Sequence, residues 1–393
     1  MQRTVVILAA CGLAAVVIAA FLARGGLDGR GVQFAISALI GGLAGFALYH
    51  AAFGFTAGWR RMTREKRGAG LRAQMLLIGL TCLITFPLMT YGREIGLPAS
   101  GNILPMTVAS AVGAFVFGIG MQIGGGCASG TLFTTGGGSS RMVIVLIFFV
   151  IGSVMATAWY DSWRAWPRVM GNTSLIREFG LWGAMAVMAA ALATIWLVSA
   201  RIERRAHGNL EPARQTRSVL HGPWSLALGA VALALVGILT MANSGRPWGV
   251  TWGFALWGAH GAEAIGMDLS TWSYWQGWRG KALDQGLFGV TTSVMNFGIV
   301  FGAMAAAGLA GRFAPTLKLS TRDIVTAVIG GLMMGIGARM AYGCNIGAYL
   351  GGLISGSLHG WWWLIWGFAG SLIGTRLRTA LSMDPPLPRA AAT

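Results

Sequence analysis

Charge is what this sequence has least of. Only 10% of its 393 residues are Asp, Glu, Lys or Arg, against roughly 25% in ordinary soluble domains. A water-facing globule of this length cannot be clothed by so few charges. Cysteine is scarce as well: Cys11, Cys82, Cys127 and Cys344 lie far apart, with no CxxC and no Cys/His spacing. That excludes a disulfide scaffold and leaves neither a zinc site nor a redox dithiol signalled, so no metal and no cofactor is expected. Acidic residues number 12 against 29 basic ones, a balance of +17. The basic residues come in short clusters between uncharged runs, not as the contiguous face a nucleic-acid binder needs. No nucleic-acid partner is expected.

What remains is apolar: 55% hydrophobic residues, 61 Gly and 17 Trp. Uncharged stretches cover approximately 4–23, 31–59, 73–92, 95–140, 142–160, 179–200, 218–245, 247–262, 285–311, 324–338 and 340–375. About 20 apolar residues suffice to cross the hydrocarbon, so the chain reads as a multi-pass membrane protein surrounded by lipid. The first run is long for a signal peptide and is read as a retained helix. Trp159, Trp163, Trp166 and Trp361-Trp362-Trp363 read as interface belts.

Arg60, Arg61, Arg64, Lys66, Arg67 and Arg72 mark one cytoplasmic loop, and Arg201, Arg204, Arg205, Arg214 and Arg217 another. Four crossings between them place 161–178 outside. From Arg217 to the next basic cluster (Arg312, Lys318, Arg322) three candidate spans occur, 223–242, 247–265 and 285–310, where parity demands an even number. One must therefore be re-entrant or split; the sequence leaves open which, with Gly286 and Gly289 offering a break in the third.

An internal repeat carries the most information. Residues 118–130 read GIGMQIGGGCASG and residues 335–347 read GIGARMAYGCNIG, at a constant offset of 217. The side assignments make the two units antiparallel, and inverted repeats of this kind place a transport site at their interface near the bilayer midplane. The expected fold class is all-α: a polytopic membrane protein with inverted repeats and broken or re-entrant helices. Its N-terminal half is 1–217, with a first unit at about 104–160; its C-terminal half is 218–393, with a second unit at about 324–376.

Glycine runs are poor material for a continuous helix. A helix is expected to stop near Gly124–Gly126, with a short second helix starting around Cys127 to Gly130. The second unit offers the same break at Gly343, Cys344, Asn345 and Gly347. Non-helical backbone at membrane depth is tolerated where it lines a cavity, and the orphaned N–H groups of a half-helix attract an anion. Candidate lining residues are Cys127 and Cys344 with Gly126, Gly130, Gly343, Gly347, Ser129 and Asn345. Gln122 and Arg339, each five residues before a cysteine, could line an anion path as neutral and charged counterparts. A soft thiol at a helix N-terminus suits a sulfur-containing anion better than a hard cation.

The sequence resembles the YeeE/YedE sulphur-transport family of bacterial inner-membrane proteins. The resemblance rests on GGGCASGTLF at 124–133, YGCNIGAYLGGLISGSLHGWWW at 342–363 and RPWGVTWGFALWGA at 246–259. It implies import of thiosulfate, or a related sulfur or selenium compound, with Cys127 and Cys344 facing a narrow path. It also implies a small cytoplasmic TusA-like sulfur carrier as partner. Many members carry a further Cys before the first basic loop; here Gly54 stands in that place. The reading is thus a transporter and not an enzyme; the alternatives are a membrane sulfurtransferase forming a Cys persulfide and a transporter of a selenium compound.

Overall fold

The computed structural model describes residues 1–315 and 318–384. Among the described residues its regular elements are helices, apart from an antiparallel pairing of Met106–Thr107 with Arg168–Met170 and an isolated bridge between Ser174 and Ser357. Nine helices there are long and apolar enough to cross a membrane. In chain order, α1 (Arg3–Ala23) and α2 (Gly31–Ala51) precede a short α3 (Phe55–Arg60), a π-turn at Arg61–Glu65 and α4 (Ala69–Tyr91). The first Gly-Cys unit is α5 (Val108–Gly124), α6 (Ala128–Gly136) and α7 (Ser140–Ala158), followed by α8 (Tyr160–Arg164). Next come α9 (Leu175–His207), α10 (Leu226–Ser244), α11 (Thr251–Ala264), α12 (Trp278–Asp284) and α13 (Thr291–Leu309). The second unit is α14 (Thr321–Met340), a π-turn at Asn345–Leu350 leading into α15 (Gly351–Leu353), and α16 (Leu358–Ala380).

The long helices of both units begin at reciprocal capping boxes, Thr107 with Ser110 for α5 and Ser320 with Asp323 for α14. Each box satisfies two N–H groups that a helix start leaves orphaned. The N-terminal run is a packed helix: Val16 and Ala20 of α1 are buried, and Gln2 Nε2 donates to Phe313 O at 2.8 Å.

The basic segments converge on one face. Arg61 pairs with Glu65 and Glu211, Arg67 and Arg72 pair with Glu203, and Arg322 donates to the carbonyls of Leu381 and Ser382. On the opposite face Ser273 Oγ donates to Asp161 Oδ2, and Arg279 lies over the rings of Tyr160 and Tyr274. Not every tryptophan expected at an interface is there. Trp363 is 1% exposed and stacks on Tyr349 at 6.1 Å, while Trp159 is 55% exposed.

The parity problem of the second half resolves at α11, not at the glycines preceding α13. Gly286 and Gly289 lie before a continuous 19-residue helix. By contrast α11 has 14 residues, about 21 Å at 1.5 Å per residue and short of the ~30 Å hydrocarbon. Its start is anchored part-way along α13, where Asn296 Nδ2 donates to Val250 O at 2.9 Å. Residues 245–250 therefore dip inward and α11 climbs back out, so α10 and α13 supply the two crossings.

The two units meet along α5 and α14, which run antiparallel. A Cβ on Gly113 would lie 2.7 Å from Gly337 O, and one on Gly330 would lie 2.9 Å from Gly120 O. Gly113 and Gly330, like Gly120 and Gly337, stand 217 residues apart, so the repeat maps this crossing onto itself. Outside it, α5 runs parallel to α16, with Gly118 against Gly367, and α14 runs parallel to α7, with Gly335 against Phe149. Small residues permit this backbone approach.

Candidate functional site

Each unit breaks at its cysteine. In the first, α5 ends at Gly125, whose φ of +90° closes the helix and suits only glycine. Cys127 is then the extended N-cap of α6, with φ −80° and ψ −173°. In the second, α14 ends at Met340, and Cys344 is the extended N-cap (φ −104°, ψ −166°) of the π-turn leading into α15. No side chain caps either start. The first N–H groups of each half-helix are therefore left for whatever enters the break.

Both thiols are 1% exposed and belong to one buried cluster. The two thiols are near neighbours within it. Cys127 Sγ lies 3.5 Å from Ser129 Oγ. A Cβ on Gly130 would sit 3.5 Å from the same sulfur, and one on Gly126 would sit 3.3 Å from Gly130 C and Thr131 N, so glycine leaves the thiol approachable. Gly343 has a positive φ, and a Cβ there would be 2.9 Å from Ala348 N. Gly347 faces Gly249 of the inward-dipping segment; a Cβ on it would stand 3.8 Å from the Gly249 Cα.

Asn345 is fully buried, yet neither its Oδ1 nor its Nδ2 has a hydrogen-bond partner. Burying an amide with all its polar atoms unmatched costs several kcal/mol in an apolar medium. Its donor and acceptor capacity at the second break is unused. Trp248 Nε1 and Tyr349 OH, on the segments packed around this break, are likewise buried and unmatched. Neither aromatic is evident from sequence, because a ring within an apolar span reads as core. The usable signal was their nearness in the chain to Gly249 and Gly347.

Gln122 and Arg339 occupy equivalent positions in inverted units and so point toward opposite faces. Gln122 Nε2 donates to Thr56 O (3.1 Å) and Ser371 Oγ (2.8 Å), toward the face of the basic segments. Arg339 Nη1 donates to Tyr274 OH at 3.3 Å, toward the opposite face, and its Nε is unmatched. Gly54 is the extended N-cap of α3, and a Cβ there would meet nothing nearer than Ala57 at 3.9 Å. The other cysteines stand apart: Cys11 is exposed on α1, and Cys82 Sγ makes a long contact to Leu353 O at 3.8 Å. The described residues contain no cluster of three or more His, Cys, Asp or Glu able to hold a metal.

The chain is 28% identical over 341 residues to the thiosulfate transporter TsuA of Spirochaeta thermophila, covering 82% of this chain and 92% of that protein. It is 24% identical over 344 residues to the thiosulfate transporter TsuA of Escherichia coli, covering 83% and 88%. The probable transporter YedE of Escherichia coli matches over a shorter stretch, 30% identical across 155 residues, or 39% of this chain and 37% of that one. The model of the sulphur transport family matches residues 50–373. This multi-pass chain, with its two broken Gly-Cys units, belongs to the sulphur transport family.

Proposed function

We propose that the protein imports thiosulfate, or a closely related small sulfur-containing anion, across the bacterial inner membrane along a central path past Cys127 and Cys344. The observation that carries this reading is the pair of N-cap thiols, brought together from opposite sides within one buried cluster. Each stands at an uncapped half-helix start. Partial positive charge at both starts attracts the anion, and the thiols offer weak S–H donors to its sulfur. Weak successive contacts suit passage, since each must release what it binds. The names of the relatives favour thiosulfate among small sulfur anions. A small TusA-like carrier is the cytoplasmic acceptor in this reading.

The test is growth of a host lacking its own uptake on thiosulfate as sole sulfur source, with initial uptake rates measured in parallel. Cys127→Ala and Cys344→Ala should each lower the rate about five- to tenfold, the scale of one lost hydrogen bond of about 1 to 1.4 kcal/mol. Normal rates in both variants would end the thiol role.

A further inference from the structure

Below the first break, on the cytoplasmic side, lies a cluster of arginines that the path past the thiols does not itself require. Arg141 donates to Gly124 O and, at 3.0 Å, to Ile123 O, while Arg378 Nη1 donates to Gln122 O at 3.0 Å. The last carbonyls of α5 thus hold both guanidinium groups beside Gly125. A Cβ on that glycine would be 2.9 Å from Arg141 Nη1 and 3.8 Å from Arg378 Nη1. Gly125 is two residues from Cys127, so these charges stand at the cytoplasmic mouth of the break. Arg60, from the end of α3, feels the Arg378 charge, and its Nη1 is buried without a hydrogen-bond partner.

A carboxylate is seated among these charges, and it comes from beyond the end of α16. Asp384 Oδ1 accepts from Arg378 Nε at 2.6 Å, and its Oδ2 lies 3.7 Å from Arg64 Nη1. Its side chain is 7% exposed. The segment carrying it is tied down by Arg322, which donates to the carbonyls of Leu381 and Ser382. Other acids nearby are engaged elsewhere. Asp323 approaches Arg141 only at 3.9 Å and is held in the cap of α14, while Glu65 accepts from Arg61. The acid that sits on Arg378 therefore arrives on a terminal strap.

We propose that Arg378, with Arg60 and Arg64, forms a cytoplasmic exit site for a small oxyanion, which the Asp384 carboxylate occupies as an internal stand-in. A carboxylate and a sulfur oxyanion make the same demand on a guanidinium: a negatively charged oxygen pair that accepts two N–H bonds. A departing anion displaces Asp384 from Arg378, and Asp384 returns once the anion has left. The return gives the site a built-in means of release. The inference rests on the anion-transport reading for its purpose, but the binding it asserts can be measured without transport.

The experiment uses the purified full-length protein in detergent, with thermal stability followed as sodium thiosulfate or sodium sulfate is added at constant ionic strength. Asp384→Asn removes the stand-in while keeping its shape. The anion concentration giving half-maximal stabilisation should fall at least fivefold relative to the unaltered protein. Asp384→Glu should behave like the unaltered protein, and adding Arg378→Gln to Asp384→Asn should abolish the tightening that Asp384→Asn produces. An unchanged midpoint in Asp384→Asn, or a tightening that survives loss of Arg378, would overturn the proposal. If the unaltered protein moves no thiosulfate in cells while these binding shifts occur, the transport reading fails and the exit site stands. Normal uptake without the shifts would sink the exit site and leave the transport reading intact.

Discussion

At the residue scale, the buried Glu203 shows how the face of the basic segments holds its shape. Its carboxylate is fully buried, accepts from Arg67 (3.2 Å) and the backbone N–H groups of Gly68 and Glu211, and forms an ion pair with Arg72 (2.7 Å). Removing its charge leaves Arg72, itself buried, uncompensated. Breaking a buried pair from one side costs about 3–5 kcal/mol, so Glu203→Gln should sharply lower the temperature at which the detergent-solubilised protein aggregates. An unchanged aggregation temperature would show that the network carries little stability. Gly54 makes the opposite case. Its φ of −132° is open to any residue and the space beside it is free, so Gly54→Cys should express and fold like the unaltered chain. Its new thiol should be reported by maleimide labelling of the denatured protein.

At the scale of elements, the crossing of α5 and α14 depends on glycine for closeness, not for flexibility. A Cβ on Gly330 would stand 2.4 Å from Gly124 N, and the obstacle is backbone that cannot swing aside. Overpacking of this kind costs about 1–3 kcal/mol for modest additions. Gly330→Val should therefore reduce the yield of monodisperse protein severalfold. The control is Gly261→Ala in α11, where a Cβ meets nothing within 4 Å. There the gain in helix propensity should leave stability unchanged or raised by about 0.4–1 kcal/mol. Equal behaviour of the two variants in size-exclusion chromatography would refute the packing role. The half-helices obey a different rule: α6 and the turn after Cys344 are short because each needs to cover only part of the membrane's depth.

For the whole molecule, the convergence of the arginine clusters on one face sets the orientation. Arg61, Arg67 and Arg72 are bonded to acids of the 201–217 segment, while Asp161 and Ser273 meet on the other side. Cationic loops are retained in the cytoplasm. Asn172→Cys and Ser270→Cys should thus react with a membrane-impermeant maleimide in intact cells, whereas Thr216→Cys should react only after permeabilisation. Labelling in the reverse pattern would invert this orientation. The inward-dipping segment 245–250 also ties the halves together, since Ser100 N donates to Gly245 O at 2.8 Å on the outer side.

Much of this was legible in the chain itself. Scarcity of charge, the spacing of arginine clusters and the two registered Gly-Cys blocks determined an all-helical membrane protein with broken units, because hydrocarbon admits few alternatives to helices and makes every interruption conspicuous. Those are local or compositional facts. The tertiary structure alone decided that α11 is the half-length element, since 245–264 and 285–310 are both apolar and contacts such as Asn296 reaching Val250 and Trp257 reaching Ser293 fix the depth of α11. It alone sent Gln122 and Arg339 to opposite faces and put Trp363 in the core, and it alone seated Asp384 among arginines that precede it by as many as 324 residues. Contacts between segments so far apart in the chain leave no periodicity to read; they exist only once the helices have packed.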